Sequence, residues 1–75
     1  MTPRQALRKA CDVMGGQSAL ARACGVRPQA VQQWVASGVC PARRAAEIEM
    51  VTWGEVRREQ LCPDLYVARP TQATA

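Results

Sequence analysis

The sequence predicts an all-α fold, a small bundle of about five short helices, and three features of the chain support this prediction. Apolar residues recur every three or four positions, as along one face of a helix, rather than at every second position as in a strand. Glycine and proline residues divide the chain into short segments, as expected at helix ends. Phenylalanine is absent and aromatic residues make up only 4% of the chain, so small apolar side chains must fill the core, which favours closely packed helices over strands.

Residues 1–66 are expected to form one domain, because a chain of 75 residues buries only a modest core. Residues 67–75 have no apolar periodicity and are expected to form a flexible C-terminal tail. No apolar run approaches the roughly 18 residues needed to cross a membrane. The sequence therefore predicts a single-domain protein without a membrane partner.

The first helix is predicted to begin at Pro3, because Thr2 suits the N-cap and proline suits the first helical position. Apolar residues then recur at helical spacing: Leu7, Cys11 and Met14. The segment ends at Gly15 and Gly16. Its polar side has three basic residues, for which we favour a solubilising role over direct phosphate contact: Arg4, Arg8 and Lys9.

Two further helices are predicted at residues 17–24 and 28–36. Gly25 separates them, because a residue just past a helix end often needs a left-handed backbone that glycine adopts cheaply. Pro28 suits the first turn of the next helix. That helix has an apolar side, with Trp34 expected to be largely buried: Val31, Trp34 and Val35. Its opposite side has four residues at helical spacing: Gln29, Gln32, Gln33 and Ala36.

A fourth helix is predicted to begin at Pro41 and to close at residues 52–54. Its apolar side is formed by residues at threefold spacing: Ala45, Ile48 and Val51. Arg43 and Arg44 occupy the first turn, where cations oppose the helix dipole. Their placement suggests another use, and contact with the phosphate groups of a polyanion is the natural candidate.

Residues 55–61 are ambiguous. We favour a short extended stretch at Val56 followed by a single helical turn at residues 58–61, since Pro63 would stop any longer helix. Three apolar side chains near this point are expected to fold back onto the core: Leu61, Leu65 and Tyr66.

The net charge of +4 is unevenly distributed along the chain. Residues 1–44 have seven basic side chains and one acidic side chain, a net charge of +6. Residues 45–75 have three basic and five acidic side chains, a net charge of −2. The basic half contains the second and third helices, so it would attract a polyanion. A solvated basic face without a partner is the alternative interpretation.

The four cysteines are predicted to be reduced, small and largely buried in a cytoplasmic protein: Cys11, Cys24, Cys40 and Cys62. No signal peptide precedes them, and no Cys-x-x-Cys pair occurs. Histidine is absent, and a zinc site would need all four thiols to converge without the close ligand pairs usual in structural sites. We therefore expect no cofactor and no bound metal.

Five residues match the helix-turn-helix pattern at the correct spacing: Gln17, Ala21, Gly25, Val31 and Trp34. The longer run from Gly16 to Tyr66, including the hinge that ends at Pro41, resembles the small Cro-like, YdaS-type transcriptional regulators of phages and prophages. The resemblance extends over residues 3–66. It implies a lambda-repressor-like (Cro-like) fold, the cytoplasm of a bacterial host, and double-stranded operator DNA as the partner.

The resemblance also implies roles for individual residues. Gln17 is expected to contact a phosphate and to help orient the reading helix. A glutamine amide can pair bidentately with adenine, so three glutamines are the candidate base readers: Gln29, Gln32 and Gln33. Arg27 is grouped with them, for contact with a guanine or a phosphate, and Arg43 and Arg44 are candidate phosphate contacts. Many relatives have a base-reading polar residue where Pro28 stands, so recognition should shift to Gln29 and Gln33.

The glutamine row has a second interpretation, since glutamine suits any solvated helix face. Such a face normally mixes charges, whereas this one has three uncharged amides opposite Val31 and Trp34. We therefore favour base reading.

The expected function is sequence-specific DNA binding, most directly as a Cro-like repressor at an operator. A homodimer on DNA is expected, because one reading helix contacts too few base pairs to be specific in a genome. The alternative is an antitoxin-like or anti-repressor module on the same fold, although a pure protein binder would not need the basic first half. An enzyme is disfavoured, since a histidine, a paired-carboxylate motif and a glycine-rich phosphate loop are all missing, and no small-molecule ligand is expected.

Overall fold

The computed structural model describes residues 2–63, and within this range the regular secondary structure is entirely helical. The predicted all-α class with five helices is confirmed. The helices are α1 (Pro3–Met14), α2 (Gln17–Cys24), α3 (Pro28–Ser37), α4 (Ala42–Val51) and α5 (Arg58–Leu61).

Helix α1 begins at the predicted residue because both partners of a capping box are present. The Thr2 hydroxyl accepts a hydrogen bond from the backbone N–H of Gln5 at 3.2 Å, and the Gln5 amide oxygen accepts one from the backbone N–H of Thr2 at 2.9 Å. Gly15 ends the helix with a left-handed backbone, at a φ of 97°. Local sequence signals therefore predict both ends of α1.

Helices α2 and α3 meet at Gly25, whose φ of 73° places it in the left-handed region. The backbone N–H of Val26 donates to the carbonyl of Ala21 at 2.9 Å, and this hydrogen bond closes α2. Helix α3 begins at Pro28 as predicted and ends at Ser37, one residue later than expected. The predicted helix-turn-helix unit is thus present with its break at the expected glycine.

The start of α4 and the segment after it differ from the predictions. Helix α4 begins at Ala42 and not at Pro41, which takes the N-cap position. Val56 is fully buried in a bend, so the predicted extended stretch is wrong. The physical reason is the buried hydroxyl of Thr52, which donates to the carbonyl of Ile48 at 2.7 Å and accepts from the backbone N–H of Val56 at 3.3 Å. These two bonds fold the chain back onto the end of α4.

The helical turn after the bend lies where it was predicted, and it is tied to α4 by Glu49. One carboxylate oxygen of Glu49 accepts two hydrogen bonds from Arg58, from the backbone N–H and from Nε, each at 2.9 Å. Because both bonds favour the charged form, they lower the pKa of Glu49 below its ordinary value.

Apart from Trp34, the core consists of small and medium apolar side chains from all five helices and from the connecting segments. Trp34 is 8% exposed, which confirms its predicted burial, and Val31 is fully buried beside it. The buried apolar residues form one cluster: Ala6, Leu7, Ala10, Cys11, Leu20, Ala21, Cys24, Val31, Trp34, Cys40, Ala45, Ile48, Val56 and Leu61. Helix α1 packs against α2, α3 and α5, so it holds the two-helix unit from behind.

Several predictions fall partly or wholly outside residues 2–63. Leu61 is buried as expected, whereas Leu65 and Tyr66 lie beyond the described residues, as do the predicted tail at 67–75 and the domain boundary at residue 66. Among the described helices, the longest, α1, has 12 residues, and none is long and apolar enough to cross a membrane.

Candidate nucleic-acid interface

Helix α3 presents a row of uncharged amides on its outer face. Gln29, Gln32 and Gln33 are all exposed, while Val31 and Trp34 on the opposite face belong to the core. Gln29 and Gln33 are four residues apart, so their Cα atoms lie about 6 Å apart along the helix axis. Each amide offers a carbonyl acceptor and an NH2 donor, the combination that reads an adenine edge in the major groove. The structure therefore brings the three candidate readers together on one face.

The C-terminal end of α3 is held by Arg4, from the first turn of α1. Its Nε donates to the carbonyl oxygen of Val35 at 3.2 Å, and its Nη2 donates to that of Ala36 at 3.0 Å. Gly38 ends the helix at a φ of 76°, and a Cβ added there would lie 3.4 Å from the Arg4 guanidinium. The last carbonyls of a helix have no partner within the helix, and here a side chain from another helix supplies one for two of them.

The N-terminal ends of α2 and α3 have no side-chain cap, in contrast to that of α1. Gln17 is the first residue of α2 and is exposed. Arg27 takes the N-cap position of α3 and is also exposed. A helix N-terminus attracts anions through its free N–H groups and its dipole. Gln17 and Arg27 therefore lie at helix N-termini, where a phosphate group could bind.

The two arginines in the first turn of α4 have different surroundings. Arg43 is exposed, whereas the side chain of Arg44 is only 26% exposed. The Nη1 of Arg44 donates to the carbonyl of Cys24 at 3.3 Å and to a carboxylate oxygen of Glu47 at 2.6 Å. Arg44 therefore already fastens the end of α2 to α4, and Glu47 partly neutralises its charge.

Two residues near the amide row have contacts or exposure that the sequence did not predict. Arg4 was placed on a solubilising face, although it lies in the first turn of α1, where a cation opposes the helix dipole just as at Arg43. That unfavourable position was the available signal. Val39 is 65% exposed and lines a shallow groove with Gln33 and Ala36. An apolar residue in a loop gives no comparable signal.

The four cysteines lie within residues 2–63, and no disulfide links them. All four are free thiols, three of them buried. Burial, reinforced by the neighbouring thiols of Cys62 and Cys24, raises the pKa of Cys40 to about 12, and the Cys62 thiol donates to the Cys40 carbonyl at 3.1 Å. Burial also raises the pKa of Cys11 and of Cys24. In this range no three cysteine or carboxylate side chains come together as metal ligands.

A protein-family model described as "Bacterial toxin YdaS" matches residues 7–70 of this sequence. The chain belongs to the YdaS family. It is 52% identical over 60 residues to a protein of Escherichia coli (strain K12) that is named as a candidate transcriptional regulator, YdaS. The alignment covers 77% of this chain but only 60% of that relative, so the chain spans about three fifths of the relative's length.

A solved structure supports the fold of this YdaS-family chain independently. The Cro protein from the prophage element Xfaso 1 in Xylella fastidiosa strain Ann-1 matches with a TM-score of 0.83 and 41% sequence identity. The match covers 91% of this chain and 100% of that chain. The Cro-like, YdaS-type assignment made from the sequence is therefore confirmed.

Proposed function

We propose that this YdaS-family chain is a sequence-specific DNA-binding transcriptional regulator, and more narrowly a Cro-like repressor that occupies operator DNA. The principal support is the exposed amide row of α3, which is backed by the buried side chains of Val31 and Trp34. A rigid helix with polar groups on its outer face is what readout in the major groove requires. The function proposed is binding without catalysis.

In the proposed complex, α3 lies in the major groove and its three glutamines contact base edges. Arg27, at the start of α3, contacts a guanine or a phosphate, while Gln17 contacts a phosphate at the start of α2. We assign the larger phosphate contribution on α4 to Arg43, because Arg44 would have to share its guanidinium with Cys24 and Glu47. The net charge of +6 on residues 1–44 supplies the attraction to the DNA backbone.

A specific observation also favours a second candidate, a protein-interaction module of the antitoxin-like or anti-repressor kind. Trp53 is 92% exposed and Met50 is 74% exposed, and both lie in the acidic half of the chain. Large exposed apolar residues are common at protein interfaces. The family's description as a toxin agrees with either candidate, because a toxic protein can act through a DNA site or through a protein partner.

In vitro selection from random double-stranded DNA tests the proposal. A preferred sequence should emerge, and labelled duplexes of preferred and scrambled sequence should then be titrated with Gln33→Ala. We expect this variant to lose roughly 1–3 kcal/mol at the preferred site and almost nothing on the scrambled duplex, because the lost bond goes to a base edge.

The matched control is Met50→Ala, which truncates an exposed helical side chain in the acidic half and should leave both affinities unchanged. Equal weakening of Gln33→Ala on both duplexes would mean that the amide row does not read bases. Failure to select any sequence would favour the protein-interaction candidate.

A further inference from the structure

We propose that Arg4 is a positioning residue for DNA recognition: its guanidinium group, anchored on α1, fixes the C-terminal end of the reading helix α3. This inference rests on the proposed function and assigns a task within it to a residue outside the helix-turn-helix unit. Arg4 is separated from Val35 and Ala36 by more than 30 residues, and it bonds the carbonyls of both. Helix α1 packs along α2 and α3, so it is a rigid support for this contact.

The geometry matches the guanidinium group in particular. Two successive carbonyls at the end of α3 each accept one N–H, at 3.2 and 3.0 Å, from Nε and Nη2 of the same planar group. Arginine offers several N–H donors in a fixed plane, whereas lysine offers one flexible ammonium group. The negative end of the α3 dipole lies at these carbonyls, so the positive charge is also favourably placed. In the first turn of α1, by contrast, the positive charge of Arg4 opposes the dipole of its own helix. The contact with α3 offsets this unfavourable interaction.

Holding this end matters for reading because the opposite end of α3 is already fixed. At the N-terminal end, the turn at Gly25 and the packing of α2 against α3 set the position of the helix. At the C-terminal end, the chain leaves through Gly38 into a loop with the exposed Val39. Arg4 therefore limits the tilt and fraying of the last turn of α3. Gln33 is adjacent to that turn, and bidentate pairing with a base requires its Cα to be placed accurately.

Arg4→Lys is the decisive variant because it preserves the positive charge and removes the planar pair of N–H donors. If Arg4 acted through its charge, by contacting a phosphate, lysine would replace it with little loss on any duplex and with an unchanged salt slope. If Arg4 positions α3, lysine can restore at most one of the two bonds. We then expect affinity for the preferred duplex to fall about three- to tenfold, as for a weakened base contact, while affinity for the scrambled duplex and the salt slope stay the same.

The control is Arg8→Lys, one turn further along α1, where an exposed arginine is exchanged in the same way. It should change neither affinity. A purely stabilising role for Arg4 would reduce the folded fraction and so weaken binding to both duplexes in equal proportion. The ratio of the two affinities in fully folded protein separates that outcome from positioning.

Amide hydrogen exchange in the absence of DNA provides the second measurement. The backbone N–H of Gly38 donates to the carbonyl of Trp34 at 2.8 Å and reports on the last turn of α3. Exchange at Gly38 should be several times faster in Arg4→Lys, while exchange at Gly15, at the end of α1, should be unchanged. An unchanged affinity ratio in Arg4→Lys, or unchanged exchange at Gly38, overturns the inference and leaves the proposed function intact. Absence of any preferred sequence for the parent protein overturns the proposed function itself, and with it the positioning role.

Discussion

Trp53 combines a left-handed backbone with an exposed side chain, and neither feature stabilises the fold. Its φ is +53° and its side chain is 92% exposed. A left-handed backbone costs a bulky residue on the order of 1–2 kcal/mol, and an exposed side chain recovers little of that cost. Trp53→Gly should therefore raise the free energy of unfolding by about 1 kcal/mol in urea titrations. Trp53→Ala retains the Cβ and the strain, so its stability should stay near that of the parent; equal stabilisation by both would contradict this explanation.

Glu49 makes stability depend on pH at the residue scale. Its two hydrogen bonds from Arg58 lower its pKa in the folded state below the ordinary value of 4.5, which it keeps when unfolded. The stabilisation is therefore fully present above pH 4.5 and is lost as the pH falls through the folded pKa. Glu49→Gln should show a smaller loss of melting temperature between about pH 5 and 3 than the parent. Glu55→Gln, at an exposed position, is the control and should follow the parent, whereas a parent-like fall in Glu49→Gln would assign the acid sensitivity elsewhere.

At the scale of the element, most helix limits could be predicted from residues that act on their own backbone, although Pro41 takes the N-cap position of α4 and not its first turn. Thr2 and Pro3 begin α1, and Gly25 and Pro28 separate α2 from α3, through φ preferences and caps that need no distant partner. Val56 was misassigned because its conformation depends on the Thr52 hydroxyl, whose bonds form only when the chain turns back. The contacts of Arg4 with α3 and of Arg44 with α2 join helices far apart in sequence, so local signals mark the unfavourable first-turn positions of both arginines but not the partners they contact.

In the candidate site too, local features could be predicted from the sequence, whereas contacts between distant helices could not. The amide row of α3 follows from helical periodicity, and its exposure agrees with the prediction. The support of that row at its C-terminal end comes from α1 and could not be derived from periodicity. The sequence therefore predicted which face of α3 is exposed, but not the contact with Arg4 that holds the end of this helix.

The first turn of α4 allows a prediction about the two adjacent arginines. Arg43 is exposed, so Arg43→Ala should weaken binding to preferred and scrambled duplexes alike and reduce the slope of log affinity against log salt by about one. Arg44→Ala should reduce the slope less and lower the melting temperature more, because it removes the bonds to Cys24 and Glu47. Titrations at several salt concentrations, with melting curves of the free proteins, measure both effects. Equal slopes for the two variants, each reduced by one, would restore Arg44 as a full phosphate contact.

At the scale of the whole molecule, charge is unevenly distributed along the sequence. The half with a net charge of +6 contains α1 to α3, and the half with a net charge of −2 contains most of α4 and all of α5. In the proposed complex, DNA would be attracted to the first half of the sequence and repelled by the second. The exposed Trp53 and Met50 both lie in the acidic half of the sequence, outside the proposed DNA-reading helix.

A single chain of this size should be too small to select one site in a genome. From Gln29 to Gln33, α3 advances about 6 Å, which corresponds to roughly two base pairs at 3.4 Å each. We therefore expect two chains on two half-sites about 34 Å apart, one turn of the duplex, with a footprint over both. Inserting about five base pairs between the half-sites turns them to opposite faces and should abolish joint binding, whereas inserting about ten restores the facing. A footprint over one half-site at saturation, or affinity insensitive to both insertions, would mean that the chains bind independently, and specificity would then have to come from contacts outside α3.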